Sequence, residues 1–152
     1  MRKERYGYMN IIKDRFLNKV MIITGAAGGI GKEIALRSAK EGAKLVLADM
    51  KEEMSRETLN EIKEITTNVE FLIVDLAKAE NCKKVVDTAI KKFGGIDILI
   101  NNAGITGTPA PVHQMTEEMF RRVFDCNVMS VFHMSHFAIN EMINKNCGGA
   151  IV

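Results

Sequence analysis

The chain has 152 residues, of which 47% are hydrophobic and 26% charged, and its formal net charge is +2. That length holds one domain with a core of its own, because a chain of this size buries roughly two-thirds of its unfolded surface. The near-balance of charge argues against a nucleic-acid partner, and no apolar run reaches the roughly eighteen residues that would cross a membrane.

The basic residues Arg2, Lys3 and Arg5 are followed by no apolar stretch of the kind a secretory signal needs. Residues 1–16 read as an N-terminal tail, with Met9 as an alternative start, and residues 17–152 as one domain. The first strand signal is Val20–Thr24, a β-branched and apolar run. A glycine-rich turn follows, and then a helix with Ile30, Ile34, Ala35 and Ala39 inward and Lys32, Glu33, Arg37 and Lys40 outward. Gly42 marks its C-terminal end.

A second strand is expected at Lys44–Ala48, then a charged helix carrying Met54, Leu59, Ile62 and Ile65. Strand three spans Val69–Val74, and the third helix buries Val85, Val86, Ala89 and Phe93 before stopping at Gly94-Gly95. Strand four is Ile96–Ile100. After a loop with Pro109 and Pro111, Thr116 opens one long helix whose seam is Phe120, Phe124, Val128, Phe132, Ile139 and Met142. That seam reads as core plus subunit interface. Gly148–Val152 reads as the beginning of a fifth strand, which leaves strand four short of a neighbour at an apolar sheet edge. Nearly continuous apolar strands alternating with helices predict a doubly wound, Rossmann-like α/β fold with a parallel sheet covered on both faces.

The turn Thr24-Gly25-Ala-Ala27-Gly28-Gly29-Ile30-Gly31 carries the functional signal. Strand, glycines and helix in that order bring backbone N–H groups and a helix N-terminus up to a pyrophosphate. Gly25 permits the tight turn, Gly29 removes a Cβ where phosphates approach, and Gly31 lets the helix pack close to the sheet. A nucleoside-triphosphate loop is excluded: five residues separate Gly25 from Gly31, and Lys32 is followed by Glu33 instead of a hydroxyl side chain. Cys82, Cys126 and Cys147 are odd in number and dispersed, which fits reduced thiols in a cytoplasm better than disulfides or a zinc site. His133 and His136 share a helix face, but no carboxylate or cysteine nearby completes a metal set.

The glycine turn, Asp75-Leu76, Asn101-Asn102-Ala103-Gly104 and Asn127, in this order, resemble the short-chain dehydrogenase/reductase family from about Leu17 to Val152. The resemblance implies an oxidoreductase that moves a hydride between nicotinamide and a small-molecule carbonyl or alcohol. It assigns cofactor contacts to Thr24, Gly25, Ala27, Gly28, Gly29, Ile30, Gly31, Asp49, Met50, Asp75, Leu76, Asn102, Ala103 and Gly104. Asp49, eighteen positions after Gly31, would accept the adenosine-ribose hydroxyls and repel a 2′-phosphate. NAD is therefore favoured over NADP, and the uncharged Gly28 and Met50 agree. As a purely structural alternative, Asp49 and Asp75 would cap the helices that follow them.

In the family the helix asparagine, here Asn127, kinks its helix so that the backbone holds a water of the proton relay; on residue type alone it is a tolerated polar residue. The resemblance also implies a homodimer or homotetramer for the full-length protein, packed through the long helix. The family's serine and Tyr-x-x-x-Lys are absent, since the only tyrosines are Tyr6 and Tyr8. The expectation is accordingly an N-terminal, cofactor-binding portion that is inactive alone. The alternatives are a non-catalytic NAD-binding or interaction protein and a decayed product that does not fold.

Overall fold

The computed structural model describes residues 10–152; the basic residues Arg2, Lys3 and Arg5, the alternative start Met9, and Tyr6 and Tyr8 lie outside the described residues. Five parallel strands form one sheet in the order β3-β2-β1-β4-β5, with β1 Val20–Thr24, β2 Lys44–Asp49, β3 Val69–Ile73, β4 Ile98–Ile100 and β5 Ala150–Ile151. Helices α1 Gly29–Lys40, α2 Glu52–Lys63, α3 Ala79–Phe93, α4 Glu117–Phe124 and α5 Ser130–Asn144 connect them. This is the Rossmann-like α/β fold that the alternation of elements predicts.

The period-two geometry of β1 sends its side chains alternately into two cores. Met21 and Ile23 join Leu45, Leu47, Ala35, Ala39 and Ile62 beneath α1 and α2. Val20 and Ile22 join Val46, Ala48, Val85, Ala89, Met134 and Ala138 beneath α3 and α5. Both faces of the central strand are covered, which explains why its sequence does not alternate.

Helix ends follow local chemistry. Gly42 takes φ +91° just past α1, and Ala43 N–H closes back on Ser38 O at 3.0 Å. Gly94 takes φ +90° at the end of α3. Thr116 caps α4 by accepting from Met119 N–H at 3.2 Å.

The strand edges shift slightly from expectation. β2 extends to Asp49, β3 ends at Ile73, and β4 begins at Ile98 because the Asp97 carboxylate, not a backbone carbonyl, takes the Val20 N–H at 2.8 Å. β4 is not an open edge either, since Ile98 pairs with Ala150 and Leu99 with Ile151.

Two packing expectations are corrected. Ile30 is not inward: it is 73% exposed, and the buried face of α1 is Gly31, Ala35, Ser38 and Ala39. On α2 the buried side chains are Ser55, Thr58 and Ile62, while Met54 and Ile65 are partly exposed. The long helix is interrupted by a π-helical turn at Asp125–Met129, and most of its bulky seam faces outward, with Phe120, Phe124, Val128, Phe132 and Ile139 all exposed. Only Met142 of that seam is buried; the inward row is Ser130, Met134, Ala138 and Met142. Close approach of α5 to α3 requires small or flexible side chains such as Ala138 and Ala89, so the larger residues are displaced to the outer face.

The segment before β1 docks on the domain. Phe16 packs against the core under α1, and its N–H donates to Glu41 O at 2.9 Å. The Glu41 side chain is fully buried and accepts from Ile12 N–H and from the guanidinium groups of Arg15 and Arg37.

Candidate functional site

In a sheet of this order the chain runs outward from β1 in both directions, leaving a crevice at the carboxyl ends of the strands. A cleft of about 350 Å³ occupies that place. Gly25, Ala27, Gly28 and Gly29 line it from the turn after β1; Asp49, Met50 and Lys51 follow β2, and Met54 reaches in from α2. Val74, Asp75, Leu76 and Ala77 follow β3; Asn102, Ala103, Gly104 and Ile105 follow β4; Cys126 comes from the π turn.

Gly25 has φ +65°, and a Cβ on it would stand 2.8 Å from Ala103 Cα, so conformation and space both require glycine. A Cβ on Gly31 would meet Asn102 Nδ2 at 2.6 Å and, closer still, the carbonyl oxygen of Gly25. The close approach at Gly31 is thus to the turn itself and to Asn102, whereas close packing on the sheet was the expectation. Asn102 cross-links the two turns: its Nδ2 donates to Thr24 O at 3.0 Å and Gly25 O at 3.1 Å. Thr24 lies beneath the lining, 2% exposed. Its hydroxyl donates to Ile100 O and accepts the N–H groups of Asn102 and Ala103, both at 3.0 Å.

Asp49 is not a helix cap: the residue preceding α2 is Lys51. Its Oδ2 accepts Ala27 N–H and its Oδ1 accepts Lys51 N–H, each at 3.0 Å. A carboxylate has about four acceptor sites, so each oxygen keeps capacity for a hydroxyl donor. Asp75 is not a cap either, since Lys78 precedes α3. Its Oδ1 accepts Ala77 N–H at 3.1 Å, and Oδ2 pairs with Arg122 of α4 at 2.7 Å. Burial pushes the Asp75 carboxyl up, but the Arg122 guanidinium and the Ala77 N–H outweigh it and hold it below the usual carboxylate range.

Asn127 sits in the π turn, where Ser130 N–H reaches back five residues to Asp125 O. Its side chain pairs twice with one residue: Oδ1 accepts Ile105 N–H and Nδ2 donates to Ile105 O, both at 2.8 Å. It therefore holds the loop after β4, and through Ile105 the cleft wall. Asn127, Thr24, Gly31 and Ile30 do not line the cleft, while the other assigned residues do. Lys51, Met54, Val74, Ala77, Ile105 and Cys126 are lining residues that sequence reading missed. Burial pushes the Cys126 thiol up, so it presents a neutral SH to the cleft. Among the described residues no group of three or more His, Cys, Asp or Glu gathers as a metal set, and no helix is long and apolar enough to cross a membrane.

A family model for short chain dehydrogenases matches residues 19–152. The chain belongs to the short-chain dehydrogenase family. Within it, the chain is 39% identical over 138 residues to 7alpha-hydroxysteroid dehydrogenase of Escherichia coli K12, covering 91% of this chain and 53% of that protein. It is 41% identical over 138 residues to galactitol 2-dehydrogenase of Agrobacterium fabrum, covering 91% and 52%. Among solved structures it resembles an NAD+-bound xylitol dehydrogenase with a TM-score of 0.82 and 36% identity, over 90% of this chain and 52% of that one. The chain spans about half the length of these short-chain dehydrogenases.

Proposed function

We propose that the cleft holds a nicotinamide adenine dinucleotide, NAD in preference to NADP, and that the chain is the cofactor-binding half of an oxidoreductase acting on a small carbonyl or alcohol. The observation that carries this reading is the placement of the Asp49 carboxylate against the glycine turn, at the topological switch point of the sheet. The residues fit the group. Gly29 leaves the turn open, with nothing within 4 Å of where a Cβ would stand, while Met54 Cε fills the place of a Gly28 Cβ. Asp49 retains acceptor capacity for ribose hydroxyls, and Asp75 and Leu76 form the wall expected to flank adenine. A 2′-phosphate would meet the charge of Asp49, with Lys51 the nearest cation in the lining.

A bound nicotinamide would supply the hydride donor or acceptor for the carbonyl–alcohol pair. The residues of this chain orient it and shape its surroundings. Thr24 and Asn102 lock the two turns that carry Gly25 and Ala103. Asn127 spends its amide on Ile105, so its part in a proton path falls to its main chain within the π turn.

Calorimetric titration tests this. The chain is expected to bind NAD at least about tenfold more tightly than NADP. Asp49→Ala should weaken NAD by at least about tenfold and erase that preference, since each charge-assisted bond to a ribose hydroxyl contributes about 1.5 kcal/mol or more. Failure of the folded chain to bind NAD would sink the reading.

A further inference from the structure

Hydroxyl side chains inside helices commonly satisfy themselves on the carbonyl one turn back. Ser55 does so on Lys51 O at 2.6 Å, Thr88 on Lys84 O at 2.8 Å, and Ser130 on Cys126 O at 2.5 Å. Thr58 departs from this habit. It lies in the middle of α2, 1% exposed, and its hydroxyl leaves the helix to donate to Ala27 O at 2.9 Å, thirty-one residues away.

Ala27 is itself 2% exposed and is held on both sides, its N–H by Asp49 and its C=O by Thr58. A trans peptide is planar, so aiming the Ala27 carbonyl at α2 turns the Gly28 N–H the opposite way. Gly28 lines the cleft in an extended conformation immediately before α1. We propose that Thr58 is a positioning residue for the phosphate-binding turn: by holding Ala27 O it sets the direction of the Gly28 N–H presented to the pyrophosphate. This rests on the cofactor reading above and adds a residue, from a different helix, that touches no ligand.

The side chain type matters because valine has the same shape and no donor. Thr58→Val would leave Ala27 O buried without a partner, and the peptide would rotate to find one. The consequence falls on ligands with phosphates and spares those without.

The test compares ADP-ribose with adenosine on the 152-residue chain, followed by amide chemical shifts and calorimetry, with the fold checked by circular dichroism. Thr58→Val is expected to weaken ADP-ribose by about tenfold, to change adenosine by less than about twofold, and to displace the Gly28 amide resonance. Thr58→Ser, which keeps the donor, should restore ADP-ribose binding. Unchanged ADP-ribose affinity in Thr58→Val, or equal losses for both ligands, would overturn the proposal. Should Thr58→Val fail to fold, Thr58→Ala set against Thr58→Ser makes the same comparison. If the unsubstituted chain binds no ADP-ribose, the cofactor reading falls, and this inference with it.

Discussion

Replacing Gly31 by alanine sets two effects of opposite sign against each other. Gly31 is the third residue of α1 and buried, and its φ is not in the left-handed region. Propensity alone therefore favours alanine by about 1 kcal/mol. Against this, the new Cβ would lie 2.6 Å from Asn102 Nδ2 and 2.9 Å from the Gly25 carbonyl carbon. Neither neighbour is free to yield, because Asn102 Nδ2 bonds both Thr24 O and Gly25 O. Overpacking of this kind costs about 1–3 kcal/mol, and loss of one Asn102 bond adds about 1 kcal/mol. The net is a destabilisation of about 1–3 kcal/mol, which lowers Tm by roughly 2–12 °C in a chain of this size. The turn must also move away from α1, so ADP-ribose binding should weaken by at least about tenfold.

Thermal unfolding by circular dichroism and calorimetric titration measure the two consequences. Gly29→Ala is the control: Gly29 has φ +54° but nothing within 4 Å of an added Cβ. It should show backbone strain of about 1–2 kcal/mol without displacing Asn102. A Gly31→Ala protein as stable as the original, with unchanged ligand affinity, would refute the steric reasoning.

Glu41→Gln should destabilise by about 3 kcal/mol, the low end for breaking a buried ion pair because Arg15 and Arg37 are partly exposed, read from the denaturant midpoint. Stability should also fall in acid. Burial pushes the Glu41 and Asp97 carboxyls up, but Arg37, Ile12 N–H and Arg15 at Glu41, and Val20 N–H and Lys19 at Asp97, bring both below their ordinary values. Below those ordinary values the unfolded chain binds more protons than the folded one, so the stabilisation is full above about pH 4.5 and is lost as pH drops through the lowered folded values. Melting from pH 7 to pH 3 checks this, and a flat Tm would contradict it. Asn127→Ala removes two bonds to Ile105 and should cost about 1–2 kcal/mol, with the Ile105 amide exchanging hydrogen faster while amides of β1 stay protected.

The order of strands and helices was legible because β-branched runs and left-handed glycines such as Gly42 and Gly94 act locally. The glycine turn, Asp49 and Asp75 were legible for a related reason, since each lies at the end of a strand and all the strands point one way. Periodicity registers bulk, so it placed Ile30 and the Phe120–Phe132 row in the core, whereas α1 buries Gly31, Ala35, Ser38 and Ala39, and α5 packs on α3 through small or flexible residues. Thr58, Met54, Arg122 and Cys126 had no local signal. Their roles depend on which turn of which helix lies over the cleft, a relation set by tertiary register alone.

The central position of β1 also dictates an order in time. Its partner β2 begins twenty residues later, but β4, its other neighbour, is joined to it by contacts spanning 76 to 79 residues. A chain made from its N-terminus can assemble β1, β2 and β3 under α1 and α2 while Val20, Ile22, Val46 and Ala48 still face outward without α3 and α5. The same interval leaves the glycine turn without Asn102, whose two bonds lock it. The α5 part of the second core, Met134, Ala138 and Met142, and the Asn102 bonds that lock the turn are therefore both supplied only by the chain that follows α3.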